Sequence, residues 1–387
     1  MSRVLRRGTL AALALAVAYT GDASAQSVLS ARGLGYPIEA LDARARGLGG
    51  VALGLPDPTF SLVNPAGAVG ITSAAVSVTF QPDHYDATVG DDATSGNTAR
   101  FPAVQATFQP RPRVNVSLGY GAFLDQNWQA TRSDSVTLST GRVAVEDRLR
   151  SSGGVARFRG GVGYALSPRL AVALALDLYT GSVRDSSSRA IEGFTPSLTE
   201  TETTYTGTGL AAGVRWTPLS ALSVAGAVST GGQLQAEADD SLVTDRDYQL
   251  PMTVDLGASA RVTRNTLLAV SGRWAGWGAA NDDITNGGGS RDALNGSVGL
   301  EYDGFTLLGQ TLPLRLGARM ARLPFRWLGD DVEFPDERAL TAGIGARLGR
   351  GAALLDAGFE RGTRGGDGTG FEEPFWRGSI SVTLFAR

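Results

Sequence analysis

Leu170-Ala171-Val172-Ala173-Leu174-Ala175-Leu176-Asp177-Leu178 decides the fold. Leu170, Val172, Leu174, Leu176 and Leu178 share one parity, and Ala171, Ala173, Ala175 and Asp177 share the other. Successive side chains of a strand point to opposite faces, so this period of two is a strand with one apolar and one small or polar face. Segments of about ten residues with this pattern recur from Ser73 to the end of the chain. A short turn and a long polar stretch alternate between them. That is how a transmembrane barrel reads, because lipid-facing residues are diluted one-to-one by lumen-facing ones.

Fourteen such segments are predicted, from 74–81 to 374–385. The even number suits a single-chain bacterial barrel. Short connections such as Pro110-Arg111-Pro112-Arg113, Ser167-Pro168-Arg169 and Gly349-Arg350-Gly351 read as periplasmic turns. Long polar stretches near 82–100, 125–152, 181–202, 230–249, 277–293, 323–337 and 362–373 read as outer loops. Parity then assigns faces. Val76, Leu118, Phe158, Val162, Leu210, Val214, Leu256, Leu316, Ile380 and Leu384 fall on the lipid side, with Tyr164, Trp216, Trp274, Tyr302 and Trp376 in aromatic girdles. The opposite parity collects charge, including Arg157, Arg159, Asp177, Asp255, Glu301, Arg315, Arg319, Arg347, Glu360 and Arg377. Arginine at the lipid-facing midplane costs about 2–4 kcal/mol, so a lumen position is required.

The N-terminus supplies the route. Arg3, Arg6 and Arg7 precede an apolar run from Gly8 to Thr20, and Ala23-Ser24-Ala25 has the small-x-small form of a signal-peptidase site. Residues 1–25 therefore read as a cleaved signal peptide and 74–387 as an outer-membrane barrel of the Gram-negative type. Cysteine is absent, which excludes disulfides and thiolate metal sites. Every basic side chain is arginine, and the net charge of −3 gives no reason to expect nucleic acid.

Between leader and barrel, residues 26–73 are too few for a core of their own. They contain Ala45-Arg-Gly-Leu-Gly-Gly-Val-Ala52 and Asn64-Pro65-Ala66-Gly67. Asn64 is expected to cap a short helix with Pro65 in its first turn. Gly49 and Gly50 permit the close backbone packing that a segment folded inside a barrel needs.

This stretch resembles the N-terminal hatch of the FadL family of outer-membrane transporters for long-chain fatty acids and other hydrophobic compounds. The match runs from Ala45 to Ala66, with further likeness at Leu118-Gly-Tyr-Gly121, Leu250-Pro251, Arg273-Trp274 and Leu312-Pro-Leu-Arg-Leu-Gly317. The resemblance implies a fourteen-stranded antiparallel barrel closed by a hatch that includes Gly49, Gly50, Asn64, Pro65 and Ala66. It further implies a hydrophobic or amphipathic small-molecule ligand, passed inward after hatch movement. A kink in the third strand, for which Gly119 and Gly121 are candidates, would open a lateral exit; small lumen residues beneath the hatch are the alternative reading of both glycines. Arg157, Arg159, Arg315, Arg319 and Arg377 are the candidate lumen ligands for an anionic headgroup; an interior of arginine paired with Asp and Glu that fills and rigidifies the barrel is the alternative reading. Outer-membrane lipid, lipopolysaccharide and, during biogenesis, the barrel-assembly machinery are the expected partners, with no cofactor and no metal. His84 is the only histidine and no catalytic spacing surrounds it, so an enzyme is not expected. The second functional reading is a structural or partner-binding barrel associated with secretion.

Overall fold

A computed structural model describes residues 27–138, 141–240, 244–284, 289–307, 309–327 and 332–386. The leader expected over 1–25 lies outside the described residues. Fourteen strands build the wall: β1 (Ala75–Val89), β2 (Asp92–Arg111), β3 (Val114–Asp125), β4 (Gly141–Ser167), β5 (Leu170–Ile191), β6 (Ser197–Leu219), β7 (Leu222–Thr230), β8 (Thr253–Arg261), β9 (Thr266–Ala275), β10 (Ala293–Tyr302), β11 (Leu314–Arg322), β12 (Asp336–Leu348), β13 (Ala353–Gly366) and β14 (Phe371–Phe385). Each pairs antiparallel with the next, and β14 returns to β1 with Ala75 opposite Phe385 and Val78 opposite Val382. Closure leaves the wall without a free edge at membrane depth, which the lack of water there demands.

Several of the long polar stretches are strand, while 277–293 and 323–337 are loops as expected among their described residues. β4 runs 27 residues and β5 runs 22, so the segments expected as loops at 125–152 and 181–202 are mostly strand. Trp128–Leu138 pairs with the first half of β4, and Gln233–Ala238 pairs with β6. These hairpins extend the wall outward as a single sheet. Their outer face is mostly polar and only scattered inward positions such as Val145, Val183 and Leu234 are apolar, so they show little of the alternation that marks the wall below.

Parity assigns most of the faces correctly. Leu174 is 70% exposed on the outer face, and Leu118, Val162, Leu210, Leu256, Leu316 and Ile380 are exposed with it. Tyr164, Trp216 and Tyr302 are also exposed near strand ends, where the girdle was expected. Ala171, Ala173 and Asp177 of the same β5 are buried inward. Arg347 departs from the expectation: it lies exposed beside the turn after β12, beyond the packed lumen. Replacing Leu174 with Arg should lower unfolding free energy in bilayers by about 2–4 kcal/mol, while Ser182→Arg, farther out on the same face, should cost no more than about 1 kcal/mol. Equilibrium denaturation in lipid vesicles measures both; equal costs would contradict the assigned depth.

Candidate functional site

Residues 27–74 fill the lumen. Asp42 starts the one α-helix among the described residues, α1 (Ala43–Gly47), by accepting the Ala45 N–H at 2.7 Å. Gly49 and Gly50 follow with φ of 74° and 90°, a region that favours glycine. Gly49 donates its N–H to the Thr341 hydroxyl at 2.9 Å, and a Cβ there would stand 2.6 Å from the carbonyl oxygens of Ala318 and Val298. The wall answers with glycines of its own: a Cβ on Gly317 would lie 2.2 Å from the Gly49 nitrogen. Backbone thus meets backbone across this contact.

Asn64 does cap, but it caps turns and not the expected helix. Its Oδ1 accepts the Ala66 N–H at 2.9 Å and its Nδ2 donates to the Val214 carbonyl at 3.1 Å, while 65–70 form consecutive turns. The close approach of Asn64 and Pro65 to Gly213 ties this corner to the wall, and Ala66 is fully buried. Six residues of turn bring the chain round to the first wall strand with too little length for a stable helix.

The five candidate arginines all point into the lumen, and all are engaged. Arg159 grips Asp177 through Nε and Nη2, both at 2.6 Å, and donates to the carbonyls of Leu62 and Val63. Arg157 reaches the same Leu62 carbonyl at 2.9 Å. Arg315 bridges Glu301 and Asp356, each at 2.7 Å, and Arg44 of α1 shares Glu301. Arg319 joins Glu360 at 2.7 Å, Glu39 of the plug at 2.8 Å, and Glu337. Arg377 bonds Asp83 at 2.6 Å and Glu360. Two of them clamp plug carbonyls, and the other three hold wall carboxylates that also contact the plug.

A second contact line lies nearer the outer side. Glu373 accepts the Val28 N–H at 2.8 Å and the Ser27 hydroxyl, and Tyr36 donates to Glu337 at 2.7 Å. Tyr36 and Pro37 pair as a strand with Asp125 and Leu124 of β3, and the Ile38 N–H reaches the Phe123 carbonyl at 2.8 Å. β2 and β3 part there: their pairing ends at Ala103 opposite Gly121. Above that point the plug occupies the β3 edge that β2 has left. A bulge at Phe123 shifts the β3–β4 register between Ala122 and Leu124. This register break lies two residues beyond Gly121. Gly119 and Gly121 themselves lie under the plug, where a Cβ would come within 2.4 Å and 2.8 Å of Leu62.

Beside this seam is a cavity of about 110 Å³ lined by apolar Phe123, Pro251, Ala275, Trp277, Leu323 and Pro324 and by polar Glu39, Arg46, Arg273, Asn295, Arg319 and Arg377. Phe123 and Trp277 stack with ring centroids 6.2 Å apart. Arg46 is buried with ion-pair separations of 3.6 Å to Glu39 and Glu360, and its Nε and Nη1 make no hydrogen bond. Of the five candidate arginines, Arg319 and Arg377 reach this cavity; Arg157, Arg159 and Arg315 do not line it. Glu39, Arg46 and Trp277 are additions that sequence alone did not supply, since their partners lie far along the chain. Removing one partner of a buried ion pair costs about 3–5 kcal/mol. Arg319→Met should therefore strip Glu337, Glu360 and Glu39 of a shared partner, lowering stability by that order and exposing residues 27–41 to protease.

No family model and no curated protein matches the sequence. Solved structures match the fold. A FadL homologue from Pseudomonas aeruginosa superimposes with a TM-score of 0.63 at 12% identity, covering 91% of this chain and 99% of that one. The P. putida toluene transporter TodX gives 0.58 at 13% identity, covering 92% and 99%. The CymD monoaromatic hydrocarbon channel gives 0.56 at 14%, covering 92% and 98%. With its wall closed by fourteen strands and its N-terminal segment folded inside, the chain has the FadL-type barrel fold.

Proposed function

We propose that this chain is an outer-membrane passive transporter for hydrophobic or amphipathic small molecules, gated by its N-terminal plug. The observation that carries this reading is the junction of cavity and seam. A cavity with one apolar, ring-lined side and one charged side sits beside the place where β2 and β3 part, and the plug strand Tyr36–Pro37 closes that place. Backbone pairing over two residues is a weak closure compared with the strand ladders around it, so it can open while the wall stays intact. Leu62 over Gly119 and Gly121 keeps the lower part of the plug seated while the first residues move. A lateral exit between β2 and β3 then leads to the apolar outer face.

The resemblance to channels named for toluene and monoaromatic hydrocarbons supports the cargo class. Size favours compact molecules: the space of about 110 Å³ falls short of the roughly 150 Å³ that takes a benzene ring, so even one ring requires a small shift of the plug. An acyl chain of fatty-acid length exceeds the space present and requires residues 27–41 to withdraw. The polar side of the cavity suits a single acceptor headgroup beside an apolar body.

Pro37 and Leu124 lie directly opposite in the strand pairing, and the chain has no cysteine of its own. A Pro37→Cys/Leu124→Cys pair is within disulfide reach, since paired strand Cα atoms stand about 4.5–5.5 Å apart. Uptake of labelled toluene and of labelled oleate is measured in cells that lack other such channels. The oxidised double variant should fall to background for both, with recovery on reduction, while each single variant transports as wild type. Undiminished uptake by the oxidised form would sink the gating; no uptake of either compound by wild type would sink the transport reading.

A further inference from the structure

Beyond the point where β2 and β3 part, the wall is left with open edges among the described residues, and Trp128–Leu138 is one of them. Trp128–Leu138 continues β3 along β4 in unbroken register, with Asp125 opposite Gly154 and Trp128 opposite Ser151. Among the described residues its other side pairs with no strand. Hydrogen-bond parity shows what that edge offers. The Gln126 N–H donates to the Gly153 carbonyl, so even-numbered residues here bond to β4. On the far side of β4, Glu192 donates to Ala144, which leaves the odd-numbered residues of β4 for this strand. Gln129, Thr131, Ser133, Ser135 and Thr137 therefore aim their backbone N–H and C=O groups outward. Ser135 shows the consequence: its N–H is taken by the neighbouring Asp134 side chain at 2.7 Å.

The edge is complementary to itself. Set antiparallel about Ser133, it places Thr131 opposite Ser135, Ala130 opposite Val136 and Gln129 opposite Thr137. Arg132 faces Asp134 twice. Ser133, Thr131 and Gln129 fall in hydrogen-bonded pairs, as the outward groups require, and Arg132 with Asp134 falls in the closer non-bonded pair. Both side chains are exposed, at 79% and 56%, and their own contact along the strand is a long one of 3.4 Å that a mate can replace. Asp147, across from Arg132, is already held by two nitrogens of Arg189 at 2.6 Å and 2.7 Å. No proline or bulge interrupts the strand, the usual means of blunting an edge.

We propose that Trp128–Leu138 docks on the same strand of a second copy, in antiparallel register centred on Ser133. The strand climbs away from the membrane, so an antiparallel mate is inverted. Copies side by side in one membrane point this strand the same way; the mate belongs to a facing outer membrane. The inference rests on the outward placement of the hairpins and not on transport.

Full-length protein in liposomes, with outward hairpins scored by protease access, tests this by light scattering. Wild-type vesicles should cluster. Arg132→Asp alone and Asp134→Arg alone should each reduce clustering to the level of empty vesicles. Mixing the two variant populations should restore it, because each then meets opposite charge. A Ser133→Cys variant should form disulfide-linked dimers under oxidation, whereas Thr131→Cys should do so only when mixed with Ser135→Cys. Heat-modifiability on gels confirms that each variant is folded. Wild-type vesicles that stay dispersed, single reversals that cluster like wild type, or cross-linking without this register preference would each overturn the proposal.

Discussion

A charge buried in the lumen without a partner is too costly to keep, and this constraint organises the inside of the barrel. Arginine and carboxylate meet there across strands, and the plug completes the pairing. Arg319 is bonded to two wall glutamates and to Glu39 of the plug, and Glu301 to Arg315 of the wall and Arg44 of α1. Removing the plug leaves wall charges short of partners, so plug and wall stabilise each other. Arginine suits this role better than lysine, because its planar fork bonds several acceptors at once and it does not lose its charge. The absence of lysine from the whole chain fits an interior built on such forks.

Above this charged region the bonding changes character. The first residues of the plug are held by short backbone pairing and by hydrogen bonds from Ser27, Val28, Ser30 and Tyr36 to the carboxylates of Glu373, Asp125 and Glu337. Among the described residues no arginine of the plug joins an ion pair there; those of Arg44 and Arg46 lie in the charged region. Below, glycines on both sides allow backbone contact around Gly49 and Gly317. The firm part and the loose part of one segment thus lie at different depths, and the cavity lies beside the loose part.

The wall was legible in the sequence because a period of two survives in every spanning segment. Leu170 to Leu178 contains the rule for the other thirteen strands. The outward hairpins were not legible: Ser182 to Arg189 has polar side chains on both faces, and a solvated strand and a solvated loop then look alike. Within the site, the glycine run and Asn64-Pro65-Ala66 were visible because their chemistry is local. The pairing of Tyr36 with Asp125, or of Glu39 with Arg319, brings together residues 89 and 280 positions apart. Nothing near Tyr36 or Glu39 in the chain signals such partners. Parity identified the arginines as inward-facing and allowed their pairing with Asp and Glu, but not which carboxylate or plug carbonyl each one meets.

The seam between first and last strand has a bearing on assembly. β14 carries Glu373 and Arg377, and Glu373 holds the backbone of Val28, 345 residues earlier. Val28 lies before the first wall strand and Glu373 in the last. The ring of strands is therefore joined at the same place where the start of the chain is fastened. Glycine-lined contact leaves no clearance for threading a folded segment into a finished cylinder. Contacts this close fit a wall that closes around a plug already in place, with the last strand fastening both at once.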